Sequence, residues 1–301
     1  MPAIVPAIVP SLQVIVTGSG GRLGAATVRF LRDRHRVIAW DRKAMDLRSP
    51  EQMDDHFGAL EFSAVIHCAA VSGVDYCEQH PEEALAVNTD AVARIARICA
   101  QRGAKLVHVS TDYVYDGSRP GLRFETDPCR PLGVYARTKY EAEKAVLAAS
   151  PDFLVARASW IFGPDRPSFV DSIIRHARKE STGGAIADKW SNPSYSMDQA
   201  AMLEALVLNP AARGTVNLCN AGSCSWLEYG QAALDLAHAA GVPLKCRTLQ
   251  PQRCAEMPGF LAERPVHTGM DTSRLQELTG QPVRPWRDAL AHYIGTYYGR
   301  Q

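Results

Sequence analysis

The segment Thr17-Gly18-Ser19-Gly20-Gly21-Arg22-Leu23-Gly24 restricts the fold more than any other part of the chain. It follows a β-branched run at 12–17 that reads as a buried strand. Helical spacing follows over about 22–34, and a second strand at 37–40 ends at Asp41. Glycines 18, 21 and 24 permit a tight turn, close backbone approach to a pyrophosphate, and packing of helix on strand. The helix start offers unpaired N–H groups and a positive dipole end to phosphate, so Arg22 and Leu23 join the glycines as expected cofactor contacts. A glycine string alone is usually only a turn. Strand before, helix after and acid beyond make this one a dinucleotide site. Asp41, 17 residues past Gly24, suits the ribose hydroxyls of NADH, whereas the adjacent Arg42 suits the 2′-phosphate of NADPH. The cofactor is therefore NADPH or NADH, with conflicting cues. Asp46 and Leu47 are placed to flank the adenine.

Beyond this unit, strands are expected at 64–68, 105–109 and 153–159, and helices at 81–102 and 133–149. Strand–helix alternation over about 150 residues argues an α/β fold, a doubly wound parallel sheet with helices on both faces. Ligands bind at the carboxyl edge of such sheets. Cys68, Ala69 and Ala70 end the third strand with small side chains that either line the cofactor's path or simply pack there, and Val109 ends the fourth. Past Trp160 the pattern loosens into a turn-rich 162–167, a helix at 168–179, a late strand at 215–219 and helices near 225–240 and 285–298. The expected organisation is a dinucleotide-binding unit over 12–165, to which 196–222 returns. Residues 166–195 and 223–301 form a smaller C-terminal lobe that closes over the sheet's edge and selects the substrate. Residues 1–11, a proline-studded duplication, read as a flexible tail.

Composition excludes several classes. With 33 basic against 32 acidic residues in 301, no charge imbalance draws the chain to nucleic acid or membrane. No apolar run reaches the roughly 18 residues of a membrane span, and the first residues lack the positive region of a signal peptide. Eight cysteines form no C-x-x-C pair, so a metal is not expected and free thiols in a reducing cytoplasm are.

Two strings carry chemistry, Ser110-Thr111-Asp112-Tyr113-Val114-Tyr115 and Tyr135-Ala136-Arg137-Thr138-Lys139. Four residues apart on a helix, Tyr135 and Lys139 share one face. A fixed ammonium beside a phenol favours its ionised form and lowers its pKa from about 10, which makes Tyr135 a proton donor. The Thr111 hydroxyl can polarise the same substrate oxygen. Asp112 either contacts substrate or caps the loop after the fourth strand, Trp160 is either a substrate platform or core, and Asn88 either organises the site or packs. His67 and His108 lie within strand patterns and read as interior histidines.

Taken in order, these motifs resemble those of the extended short-chain dehydrogenases/reductases, and within them the dTDP-4-dehydrorhamnose reductase family, over about 12–298. The glycine loop, the Ser-Thr-Asp-Tyr stretch, the Tyr135–Lys139 pair and Arg157-Ala-Ser-Trp160 carry the resemblance. So do Arg264-Pro265, Asp271-Thr272-Ser273-Arg274-Leu275 and Pro285-Trp286-Arg287-Asp288-Ala289-Leu290. It implies a Rossmann-type sheet and reduction by NAD(P)H of a 4-keto sugar carried on a nucleoside diphosphate. Thr111, Tyr135 and Lys139 would be catalytic, with Tyr135 and Lys139 also touching cofactor, and Thr111, Asp112, Tyr113 and Trp160 touching the nucleotide sugar. Oligomeric state stays open, a homodimer included. Departures fall at Tyr115, where phenylalanine is common, at Asp188-Lys189-Trp190-Ser191-Asn192-Pro193-Ser194, where Asp-Gln, a glycine and Pro-Thr are common, and at His267, where asparagine is. Rival implications are a nucleotide-sugar dehydratase or epimerase, and a non-catalytic subunit like the regulatory one of methionine adenosyltransferase. Tyr113 stands where a dehydratase resembles threonine-aspartate-glutamate, which argues against elimination.

Overall fold

A computed structural model describes residues 11–257 and 259–299, so the tail expected at 1–11 lies outside the described residues except for Ser11. Six strands form one sheet: β1 Gln13–Thr17, β2 Arg36–Trp40, β3 Ala64–His67, β4 Lys105–Thr111, β5 Leu154–Ala158 and β6 Gly214–Leu218. Their spatial order is β6-β5-β4-β3-β1-β2, and every pairing is parallel. The chain leaves β1 toward β2 on one side and returns to β3 on the other, opening a crevice at the carboxyl ends of β1 and β3.

The longer helices are α1 Arg22–Leu31, α2 Ala91–Arg102, α3 Gly133–Ala149, α4 Phe169–Lys179, α5 Ser196–Leu208, α6 Trp226–Ala239 and α7 Trp286–Tyr297. Side chains alternate across each strand. Val14, Val16, Ile66, Val107 and Leu154 therefore pack with Leu23 of α1 and Leu203 and Leu206 of α5. Ile15, Val65, Leu106 and Val155 face the other way, against Ile95 of α2 and Val146 of α3. Burial on both faces is why these strands read as unbroken aliphatic runs. A separate core joins α4, α6 and α7 through Ile174, Leu234, Tyr229, Trp286 and Tyr293.

The observed elements differ from the expected ones in four larger respects, besides shifts of a residue at several strand ends. The first helix stops at Leu31, not near 34, because the N–H groups of Arg34 and His35 both turn back to the Leu31 carbonyl. The fourth strand runs on past 109, taking Ser110 and Thr111 into register with Arg157 and Ala158 of β5. The helix expected at 81–102 contains a π turn, Ala86–Asp90, between Pro81–Leu85 and α2. Helices Pro50–Gly58 and α5 were not foreseen. The first is short, and α5 carries apolar residues all round, which erases its period.

Arg157 of β5 and Glu143 of α3 form a buried ion pair, side chains 5% and 1% exposed, with Arg157 Nη2 2.7 Å from Glu143 Oε2 and Nε 3.1 Å from Oε1. Arg157 Nη1 also donates to the Tyr115 hydroxyl at 2.8 Å, which donates to the Phe124 carbonyl at 3.0 Å. A phenylalanine at 115 would leave both groups short of a partner. Among the described residues, all eight cysteines are free, and no helix is long and apolar enough to cross a membrane. Arg157→Leu strands the Glu143 carboxylate. Urea unfolding should show a loss of about 3–5 kcal/mol, and a loss under about 1 kcal/mol would mean that the pair holds nothing together.

Candidate active site

Gly18 has φ +70°, and a Cβ on it would lie 2.6 Å from the Ala69 backbone nitrogen. A Cβ on Gly24 would overlap the Gly18 carbonyl. Only hydrogens fit at both points, so the loop presses against the end of β3 and leaves an uncovered backbone cradle at the start of α1. The cradle fits a dinucleotide's pyrophosphate, for which side chains would be obstacles.

A cleft of about 820 Å³ opens there. The structure brings all the expected residues onto its lining: Gly18, Gly21, Arg22, Leu23, Gly24, Asp41, Asp46, Leu47, Cys68, Ala69, Ala70, Val109, Thr111, Asp112, Tyr113, Tyr135, Lys139 and Trp160. The Asp41 Oδ1 accepts from the N–H groups of Lys43 and Ala44 at 2.9 Å each, and these bonds hold its carboxyl below the usual range. Arg42, at the tip of the same turn, reaches Glu83 at 3.4 Å. Arg48 pairs with Asp46 and brings its carboxyl down to about 2.

Tyr135 and Lys139 lie on α3 and both face the cleft. Lys139 is 1% exposed, and its Nζ donates to the Val109 carbonyl at 2.8 Å and lies 3.2 Å from His108 Nε2. Burial lowers its pKa to about 8. The expected depression of the Tyr135 phenol is not found: burial pushes it up to about 12, and the Thr111 hydroxyl only partly offsets this. The ammonium is committed to β4, which is why it does not act on the phenol. His67 and His108 are fully buried, as the strand pattern implies, and burial keeps both neutral, His67 down to about 3.

Asp112 is buried, and its oxygens accept from Thr111 Oγ1 at 3.2 Å, Ser159 Oγ at 2.9 Å and Thr268 Oγ1 at 2.8 Å. Burial raises its carboxyl's pKa against these donors and the nearby Lys189. Tyr113 meets Tyr135 edge to face at 6.1 Å, with the Lys189 ammonium 4.8 Å over its ring. Lys189 is fully buried, donates to the Pro265 carbonyl, and is lowered by burial to about 8. Sequence reasoning marked it only as a departure, because a lysine in a polar-looking loop carries no sign of burial. The same segment meets another departure: the Trp190 and His267 rings stack at 4.7 Å.

Trp160 lines the cleft at φ +35°, a left-handed backbone rare for so large a residue, and stacks on Trp226 at 5.0 Å. Asn88, turned inward by the π turn, accepts from Val71 N–H at 2.9 Å and donates to Val71 C=O at 3.0 Å and Thr138 Oγ1 at 3.3 Å. It ties the chain after β3 to α3. Arg166 also lines the cleft, unforeseen, with Nε donating to the Gly20 carbonyl at 2.5 Å.

A glycine cradle on a parallel sheet, facing Thr111 and a Tyr-x-x-x-Lys helix, is the arrangement of an extended short-chain dehydrogenase/reductase. The chain belongs to the RmlD substrate binding domain family, whose model matches residues 12–298. It is 35% identical over 292 residues to a dTDP-4-dehydrorhamnose reductase of Mycobacterium tuberculosis (strain H37Rv), covering 93% of this chain and 92% of the relative. It is 30% identical over 285 residues to one of Aggregatibacter actinomycetemcomitans, covering 92% and 97%. The crystal structure of dTDP-4-dehydrorhamnose reductase from Bacillus anthracis str. Ames in complex with NADP superposes with a TM-score of 0.87 at 28% identity, covering 95% of this chain and 99% of that one.

Asp112→Ala leaves the Ser159 hydroxyl without its acceptor in the interior. Thermal and urea melts should report a loss of about 1–3 kcal/mol. An unchanged melt would show that the carboxylate is not structural.

Proposed function

We propose that the chain is an NAD(P)H-dependent reductase of a 4-keto-6-deoxy sugar carried on a nucleoside diphosphate, converting dTDP-4-dehydro-L-rhamnose to dTDP-L-rhamnose. The observation that carries this is one cleft holding Thr111, Tyr135 and Lys139 together with the bare glycine cradle, in a chain aligned over nearly its whole length with reductases of that name. When bound, the nicotinamide supplies the hydride.

Gly18, Gly21, Arg22, Leu23 and Gly24 would hold the pyrophosphate, Asp41 the adenosine ribose, Asp46 and Leu47 the adenine, and Cys68 to Ala70 with Val109 the rest of the cofactor. Tyr135 donates its phenolic proton to the ketone oxygen as charge develops there. A phenol near 12 holds that proton throughout the neutral range and releases it only to a stronger base such as an alkoxide. Thr111 donates a hydrogen bond to the same oxygen. Lys139 would hold the nicotinamide ribose from the end of β4, where its Nζ is bonded to the Val109 carbonyl. Tyr113 and Trp160 bound the sugar. Of the two roles open to Asp112, its three hydroxyl donors favour holding the loop that presents Thr111 and Tyr113. The free cysteines suit a reducing cytoplasm.

Tyr135→Phe should lower kcat for dTDP-4-dehydro-L-rhamnose about 10²–10⁴-fold, followed as NAD(P)H oxidation, while NAD(P)H affinity stays within about threefold. A variant keeping more than a tenth of the rate would refute the proton-donor role. A wild-type chain that binds NAD(P)H but reduces no nucleotide keto sugar would support the non-catalytic alternative.

A further inference from the structure

We propose that His108 is a positioning residue for Lys139: its neutral Nε2 is one of two acceptors that hold the ammonium at the end of β4. This rests on the reductase reading of Lys139. Among the described residues, Glu143 one turn along α3, Cys68 after β3, His108 on β4 and His67 of β3, stacked behind His108 at 5.4 Å, bear on that ammonium, and the Tyr135 phenol lies one turn earlier on α3. Only Glu143 is charged. Its oxygens are already taken by Arg157 Nε and Nη2. The Cys68 thiol is pushed up to about 12 by burial, and His67 is neutral with Nδ1 bonded to Thr17 Oγ1 at 2.7 Å.

The field of Glu143 favours the charge, but with its oxygens engaged elsewhere the buried ammonium must find its hydrogen-bond acceptors among neutral groups. Two are in reach, the Val109 carbonyl at 2.8 Å and His108 Nε2 at 3.2 Å. For Nε2 to accept, the His108 proton must sit on Nδ1, and that nitrogen has no partner among the described residues. Besides stacking on His67, the imidazole makes one hydrogen bond among the described residues, to Lys139.

Because a hydrogen bond to the charged form favours that form, removing the acceptor must lower the pKa of Lys139 further. The test is a titration of the full chain carrying ε-¹³C-lysine, followed by NMR without substrate, the Lys139 signal being assigned by its loss in Lys139→Met. His108→Leu should move the Lys139 midpoint down by about one pH unit, a tenfold change. His108→Gln, which keeps an acceptor at about the same reach, should recover at least half of that. His108→Met carries the same expectation as Leu if the leucine variant does not fold. Midpoints within about 0.2 units of wild type in a folded Leu or Met variant would overturn the proposal, as would a Gln variant that behaves like Leu. In turnover, the alkaline limb should shift the same way, with rates near wild type at low pH. A uniform fall at every pH marks a merely structural residue and refutes it. A midpoint shift in a chain that reduces no keto sugar sinks the reductase reading and leaves this one standing.

Discussion

One backbone-on-backbone contact sets the rest of the site: Gly18 against Ala69, close enough to exclude a methyl group. It fixes the glycine loop at the end of β3 and, through Gly24 over the Gly18 carbonyl, the angle at which α1 leaves the sheet. The crevice between β1 and β3 then faces the ends of β4 and α3, where Thr111, Tyr135 and Lys139 stand. A side chain at position 18 would lift the loop and tilt the helix.

The sheet was legible because a parallel sheet buried on both faces writes itself as consecutive aliphatic residues, as in Val14-Ile15-Val16 and Ala64-Val65-Ile66. The cleft residues were legible because local rules place them: a loop between strand and helix, a four-residue step on one helix face. Tertiary choices were not. Nothing in the periodicity of 196–208 marks α5 as covering the sheet. No local rule announces that one inserted residue in a long helix would swing Asn88 onto Val71. The Lys139 ammonium was expected to act on Tyr135, and it turns instead to a carbonyl and an imidazole on a strand 30 residues earlier.

Among the described residues, three cations are taken out of water, each compensated differently. Arg157 has a two-pronged carboxylate and remains fully charged. Lys189 has a carbonyl, an aromatic face and the field of Asp112. Lys139 has a carbonyl and an imidazole within bonding reach and the field of Glu143, and its pKa, like that of Lys189, falls to about 8. Structural permanence and chemical responsiveness are thus separated by the kind of partner, not by depth of burial.

The stacked rings of Trp190 and His267 lie on segments 77 residues apart. Neither side chain lines the cleft. Such a pair creates epistasis: a chimera that imports one ring from a relative inherits half an interface and exposes the other half. Swaps meant to retarget sugar choice therefore have to carry both loops together, and a single-site survey of this lobe would misattribute loss of folding to loss of recognition.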